Sequence, residues 1–153
     1  MKFSALSHRL VLLIALVVGL ASAGCGSDNG SQTSDYDVTV SVVSDAGDLG
    51  ALQFNVSYEG ESGGWSGTAG NIDCEALIDA LMAVNDSGAS SLKIGVVSLE
   101  GVPTPGDVVR CVFRGPDELS TSSFVVRVLD ASDTDSVRVM PVPTMQVTSV
   151  VAR

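Results

Sequence analysis

The chain has 153 residues, of which 18 are acidic against eight lysines and arginines, giving a net charge of −10. So acidic a chain repels phosphate backbones and anionic lipid surfaces, which excludes nucleic-acid binding and charge-driven membrane attachment. The single histidine, His8, stands in the N-terminal segment. Beyond it no Ser-His-Asp or Cys-His catalytic set and no histidine-ligated zinc site can be assembled. Carboxylate chemistry is what remains: an acid/base pair, or oxygen ligation of calcium.

In chain order, Lys2, His8 and Arg9 lead into an unbroken apolar run from Leu10 to Ala21, followed by Ser22, Ala23, Gly24 and Cys25. The run is shorter than the roughly 20 residues a membrane-spanning helix needs. Its three-part layout is that of a secretory signal peptide over residues 1–24. Ala23-Gly24-Cys25 resembles the end of a bacterial lipobox, in which the cysteine is lipidated and becomes the new N-terminus. Lipoboxes usually carry Leu where this chain has Ser22, and Ala21-Ser22-Ala23 also satisfies the rule for ordinary cleavage. Lipidation at Cys25 is therefore expected, with plain secretion or a periplasmic location as the alternative. Gly26 follows Cys25 where Asp would signal inner-membrane retention, so the expected address is the outer membrane or cell surface. A lipid on Cys25 is then the membrane contact.

Residues 25–35 are small, polar and without an apolar side chain after Cys25, a composition that cannot offset its ordering entropy and reads as a flexible tether. Residues 36–153 form one domain. From Tyr36 onward the dominant period is two, the mark of half-buried strands. Val38, Val40 and Val42 alternate with Thr39 and Ser41; Leu52, Phe54, Val56 and Tyr58 alternate with Gln53, Asn55 and Ser57. Leu92, Ile94 and Val96 predict another strand. Val109, Cys111 and Phe113 predict one with Arg110 and Arg114 facing out, and Phe124, Val126 and Val128 one with Arg127 outward. Val137 and Val139 predict a short strand, and Val147 to Val151 the last. Asp45-Ala46-Gly47-Asp48, Pro103-Thr104-Pro105-Gly106 and Gly115-Pro116-Asp117 are turn and breaker signals between them.

One segment follows a different period. Leu77, Ile78, Leu81 and Met82 fall at helical spacing within Cys74 to Val84, with Asp73 as N-cap and Gly88 past the end. The spacing predicts a short helix crossing between two sheets. The fold class is therefore all-β: an antiparallel, two-sheet, jelly-roll-like β-sandwich with one short helix in a crossover.

With Cys25 assigned to the lipobox, Cys74 and Cys111 remain. In an exported chain an even remainder reads as a disulfide, two independent buried thiols being the alternative. No C-x-x-C redox motif is present.

The order of segments resembles the bacterial cohesin domain, a fold related to certain carbohydrate-binding modules. Gly50-Ala51-Leu52-Gln53-Phe54-Asn55-Val56-Ser57-Tyr58 is similar to the second cohesin strand, and Ser91-Leu92-Lys93-Ile94-Gly95 to the middle strand. Gly106-Asp107-Val108-Val109-Arg110-Cys111-Val112-Phe113 resembles the following strand, and Phe124 to Val128 with Asp130-Ala131 the penultimate one and its acidic loop. The resemblance implies a nine-strand jelly roll that binds non-covalently, usually to a dockerin-type protein. The Cys74/Cys111 pair is not part of the family pattern, and no contact residue carries over by motif.

Three candidate sites stand beside plainer explanations. Asp130, Asp133 and Asp135 lie within six residues and are candidate calcium ligands; Asp135 and Pro141 stand where an EF-hand-type loop needs Gly and Glu, which favours a solvated hairpin tip. Trp65, in the loop Gly63-Gly64-Trp65-Ser66-Gly67, is a candidate sugar platform with Tyr58 and Tyr36; the alternative is a core plug at one end of the sandwich. Glu59, Glu61, Glu75, Glu100 and Glu118 show no spacing that pairs them as a glycosidase would, so no catalytic residue is assigned. The expected function is non-catalytic: an envelope lipoprotein whose cohesin-like domain binds a dockerin-like protein or a polysaccharide. The alternatives are a purely structural envelope lipoprotein and a secreted carbohydrate-binding module.

Overall fold

The computed structural model describes residues 33–153 apart from residues 69 and 89. The segment expected to be a signal peptide, Cys25 and the expected tether up to Gln32 lie outside the described residues. The strands in chain order are β1 (Thr33–Val42), β2 (Leu49–Tyr58), β3 (Gly64–Trp65), β4 (Gly67–Thr68), β5 (Asn71–Ile72), β6 (Cys74–Ala76), β7 (Leu81–Asp86), β8 (Ser91–Val102), β9 (Gly106–Pro116), β10 (Phe124–Ser132) and β11 (Met145–Ala152). A single 3-10 turn, Thr121–Ser123, precedes β10.

Two antiparallel sheets form the sandwich. The first runs β11-β1-β9, and the far edge of β9 is shared by β3 and β6; the second runs β10-β2-β8-β7. The period-two pattern decides which side chains face between them. Val38, Val40 and Val42 of β1 are buried, as are Leu52, Phe54 and Val56 of β2, Leu92, Ile94 and Val96 of β8, and Val109, Cys111 and Phe113 of β9. Burying each such aliphatic side chain is worth about 1.5–3 kcal/mol against leaving it in water. The all-β sandwich read from the alternation is the architecture observed.

The helix expected over Cys74 to Val84 is not formed. Cys74–Ala76 pairs with Cys111–Val109 of β9, and Leu81–Asp86 pairs with Val97–Leu92 of β8. The segment crosses from one sheet to the other as two short strands joined by a turn. Met82 and Val84 pack on the core while Leu81, at 81% exposure, and Ala83 face outward, which is strand alternation. Over so few residues helical spacing is a weak signal, and ladder hydrogen bonds to β9 and β8 outweigh a marginal helix although they leave Leu77 and Leu81 outside the core.

Three smaller differences concern boundaries. β1 starts at Thr33, before the expected Tyr36, because Thr33, Ser34 and Asp35 pair with Pro116, Gly115 and Arg114. Val137 to Val139 makes only a single bridge, Arg138 opposite Ser132. The stretch 63–76 adds short strands not expected from sequence: β3 and β6 fill the far edge of β9, and the β4–β5 hairpin is inserted between them. Ser66 and Asp73 bracket that hairpin on Val112: Ser66 N donates to Val112 O (2.8 Å) and Val112 N to Asp73 O (2.9 Å). At Gly67, φ is +114° and a Cβ would stand 2.4 Å from the Asn71 carbonyl oxygen, so the hairpin closes only on glycine.

Candidate functional site

The two outer faces of the sandwich have opposite character. On the β11-β1-β9 sheet, charges are matched across neighbouring strands. Glu75 lies directly opposite Arg110, and the two side chains form an ion pair. Asp35 lies directly opposite Arg114, whose guanidinium donates from Nε (2.7 Å) and an Nη (3.0 Å) to both carboxylate oxygens. Arg153 donates to Asp37 at 2.8 Å. Ser41 lies among the buried groups, where its hydroxyl donates to Asp107 (2.5 Å) and shares a hydrogen bond with Thr148 (2.6 Å). The Arg114 hydrogen bond holds the Asp35 carboxyl below the usual carboxylate range, and the partner carboxylates raise Arg110 and Arg114. This face satisfies itself.

The outer face of the β10-β2-β8-β7 sheet does not. Its registers stack the outward side chains in cross-strand rows. Ser132, Ala51, Val97 and Leu81 form one row, Asp130, Gln53, Gly95 and Ala83 the next, and Arg127, Asn55, Lys93 and Asn85 the third. Val97 is 49% exposed and Leu99, two residues on along β8, 96% exposed; with Leu81 they form an apolar corner. The small residues Ala51, Gly95 and Ala83 leave a shallow depression beside it, walled by Gln53, Val97 and Asp130.

Gly95 is the informative position. It sits inside the twelve-residue strand β8, its backbone is ordinary extended chain, and a Cβ there would meet nothing within 4 Å. Glycine inside a strand costs roughly 0.5–1 kcal/mol relative to alanine. Nothing inside this domain needs the missing side chain, and such a glycine also suits close approach by another backbone. One row away, the Asn55 side-chain oxygen is enclosed and has no hydrogen-bond partner. An unpaired buried acceptor costs about 1–3 kcal/mol.

The candidate residues named from sequence are distributed differently. Cys74 and Cys111 are disulfide-bonded. Tyr36 is buried, with its hydroxyl donating to the Pro116 carbonyl (3.1 Å). Tyr58 and Trp65 both pack on Phe113 and Phe124, with ring centroids 4.7–5.8 Å apart and planes tilted by 46–79°. The structure therefore does not assemble Trp65, Tyr58 and Tyr36 into a flat platform. Their rings close one end of the core, because the glycine-rich loop hydrogen-bonds β3 onto β9 and carries Trp65 onto Phe113.

The three candidate calcium ligands are not brought together either. Asp133 Oδ1 accepts from the backbone N–H groups of Asp135 (3.0 Å) and Val137 (2.7 Å), so it caps its own turn. Asp130 pairs with Arg138 (3.1 Å). The loop is held down by Thr134 donating to Asp48 (2.7 Å) and by the close approach of its backbone to Gly50. Among the described residues no group of three or more His, Cys, Asp or Glu side chains is placed to hold a metal ion.

The sequence reading missed Gly95, Val97, Leu81 and Asn55 as a group. Two signals were present: a glycine inside the alternating run Leu92 to Val96, and Val96-Val97, where apolar residues occupy both faces.

No protein-family model matches the chain, and no curated protein matches it. Among solved structures it is similar to a non-cellulosomal cohesin from the hyperthermophilic archaeon Archaeoglobus fulgidus, at 18% identity and a TM-score of 0.53. The match covers 71% of this chain and 74% of that one. The fold is thus a cohesin-like β-sandwich.

Proposed function

We propose that this chain is a non-catalytic protein-binding module of the bacterial cell envelope, tethered by a lipid on Cys25 and docking its partner on the outer face of the β10-β2-β8-β7 sheet. The observation that carries the reading is Gly95, a strand-interior glycine in open space, in a shallow depression whose neighbours are small and whose corner is apolar. The cohesin-like fold supports binding over catalysis, and the signal-like N-terminus supports the envelope address. Polysaccharide binding is the second expectation from sequence; aromatic rings packed into the core weigh against it.

The test is partner capture from the organism's own envelope proteins. The wild-type chain and an Arg110→Ser control on the opposite face retain the same partner, while Gly95→Arg loses it with thermal stability unchanged. Equal retention by Gly95→Arg, or retention of soluble polysaccharide in place of protein, refutes the reading. Mass spectrometry of the mature N-terminus tests the anchor: a diacylglyceryl Cys25 supports it, and an unmodified Gly24 start overturns it.

A further inference from the structure

The cations of the described residues divide into two groups. Arg110, Arg114, Arg138 and Arg153 are each engaged by a carboxylate. Lys93 and Arg127 are in no ion pair among the described residues, although acidic side chains outnumber basic ones 18 to eight over the chain as a whole. Both stand on the outer face of the β10-β2-β8-β7 sheet and in the same row: Arg127 is opposite Asn55, and Asn55 is opposite Lys93. With one strand between them, at about 4.8 Å per strand, their Cα atoms are roughly 10 Å apart. Two long cationic side chains at that separation can reach one anion.

Between them lies Asn55, with its enclosed and unpartnered side-chain oxygen. The face's own acid, Asp130, is already neutralised by Arg138. A row holding two unengaged cations, on the face with the uncovered depression, is what an incoming carboxylate would complete.

We propose that Arg127, Asn55 and Lys93 form a subsite for an acidic side chain on an extended segment of the partner protein. The inference rests on the protein-binding reading above and deepens it. Along β8 the outward positions run Lys93, Gly95, Val97, so the basic row and the apolar row are four residues apart, about 13 Å in extended chain. A peptide lying along β8 therefore presents a carboxylate at one position and an apolar side chain four positions away, with its backbone passing over Gly95. A peptide supplies carboxylate and apolar side chain together. An acidic polysaccharide supplies the carboxylate without the apolar group that Val97, Leu81 and Leu99 call for.

The experiment titrates the full chain with two blocked pentapeptides, Glu-Ser-Thr-Ser-Leu and Gln-Ser-Thr-Ser-Leu, following backbone amide shifts by NMR. The glutamate peptide is expected to shift Asn55, Lys93, Gly95 and Arg127 and to bind at least fivefold more tightly than the glutamine peptide. The double variant Lys93→Glu/Arg127→Glu is expected to abolish that difference while keeping the wild-type melting temperature. Equal binding of both peptides at Val97 overturns the carboxylate subsite and leaves the protein-binding face standing. Perturbation of the row by polygalacturonate in preference to the glutamate peptide overturns it in favour of a polysaccharide ligand. No perturbation of the face by either peptide counts against the subsite and the face together.

Discussion

Cys74 and Cys111 face each other directly across β6 and β9, with Cα atoms 4.0 Å apart, and their disulfide ties the crossover segment to a buried central strand. β6 is only three residues long, so its ladder alone holds the crossover weakly, and the covalent bond fixes its register.

Replacing both cysteines, Cys74→Ala/Cys111→Ala, is expected to destabilise the fold by about 3–4 kcal/mol, the loop-closure value for a separation of this length. Thermal melts of wild type and variant, each with and without reductant, check this. Reductant should lower the wild-type melting temperature and leave the variant unchanged.

Phe113 touches Tyr58, Trp65 and Phe124, with ring centroids 4.7–5.2 Å away. Phe113→Ala is expected to cost about 3–5 kcal/mol, as a large cavity at full burial does. It should also shift Trp65 fluorescence to the red as water reaches the indole. An unchanged emission maximum would mean that Trp65 does not lean on Phe113.

Asp35 has its carboxyl held below the ordinary range, first by the hydrogen bond from Arg114. A folded-state value below the unfolded one stabilises above the unfolded pKa of about 3.9, and that stabilisation is lost as pH falls through the folded value. Asp35→Asn should therefore lower the melting temperature at pH 7 by a small, salt-sensitive amount, since the pair is exposed. The gap between wild type and variant should close below about pH 4. A gap that persists at pH 2 would assign the loss to something other than the ion pair.

Gly95→Val fills the depression with a residue suited to a strand. With no atom within 4 Å of the added Cβ, it is expected to stabilise the isolated chain by about 0.5–1 kcal/mol, a few degrees in melting temperature. Partner retention should fall in the same variant. A variant both more stable and fully competent would remove the functional meaning of this glycine.

The inward sets of β1, β2, β8 and β9 were legible because alternation over five or more residues has only one strand reading. The segment from Cys74 to Val84 was not. Its apolar positions fit a helix on local grounds, and only pairing with β9 and β8, from residues 10 to 37 positions away, selects strand. The candidate face was invisible for the same reason. Arg127, Asn55 and Lys93 are far apart in sequence and meet only through two registers. Trp65 stood open between a sugar platform and a core plug because a glycine-rich loop carries no local signal of what it packs against.

By itself the sequence determined what side-chain period and composition can carry: strands, a two-sheet interior and a net charge of −10. The tertiary structure alone decided which charges are neutralised and which are left open, which aromatic rings are spent on the core, and which sheet face stays bare. Period is a property of neighbours along the chain, whereas pairing and exposure depend on strands that meet only after folding.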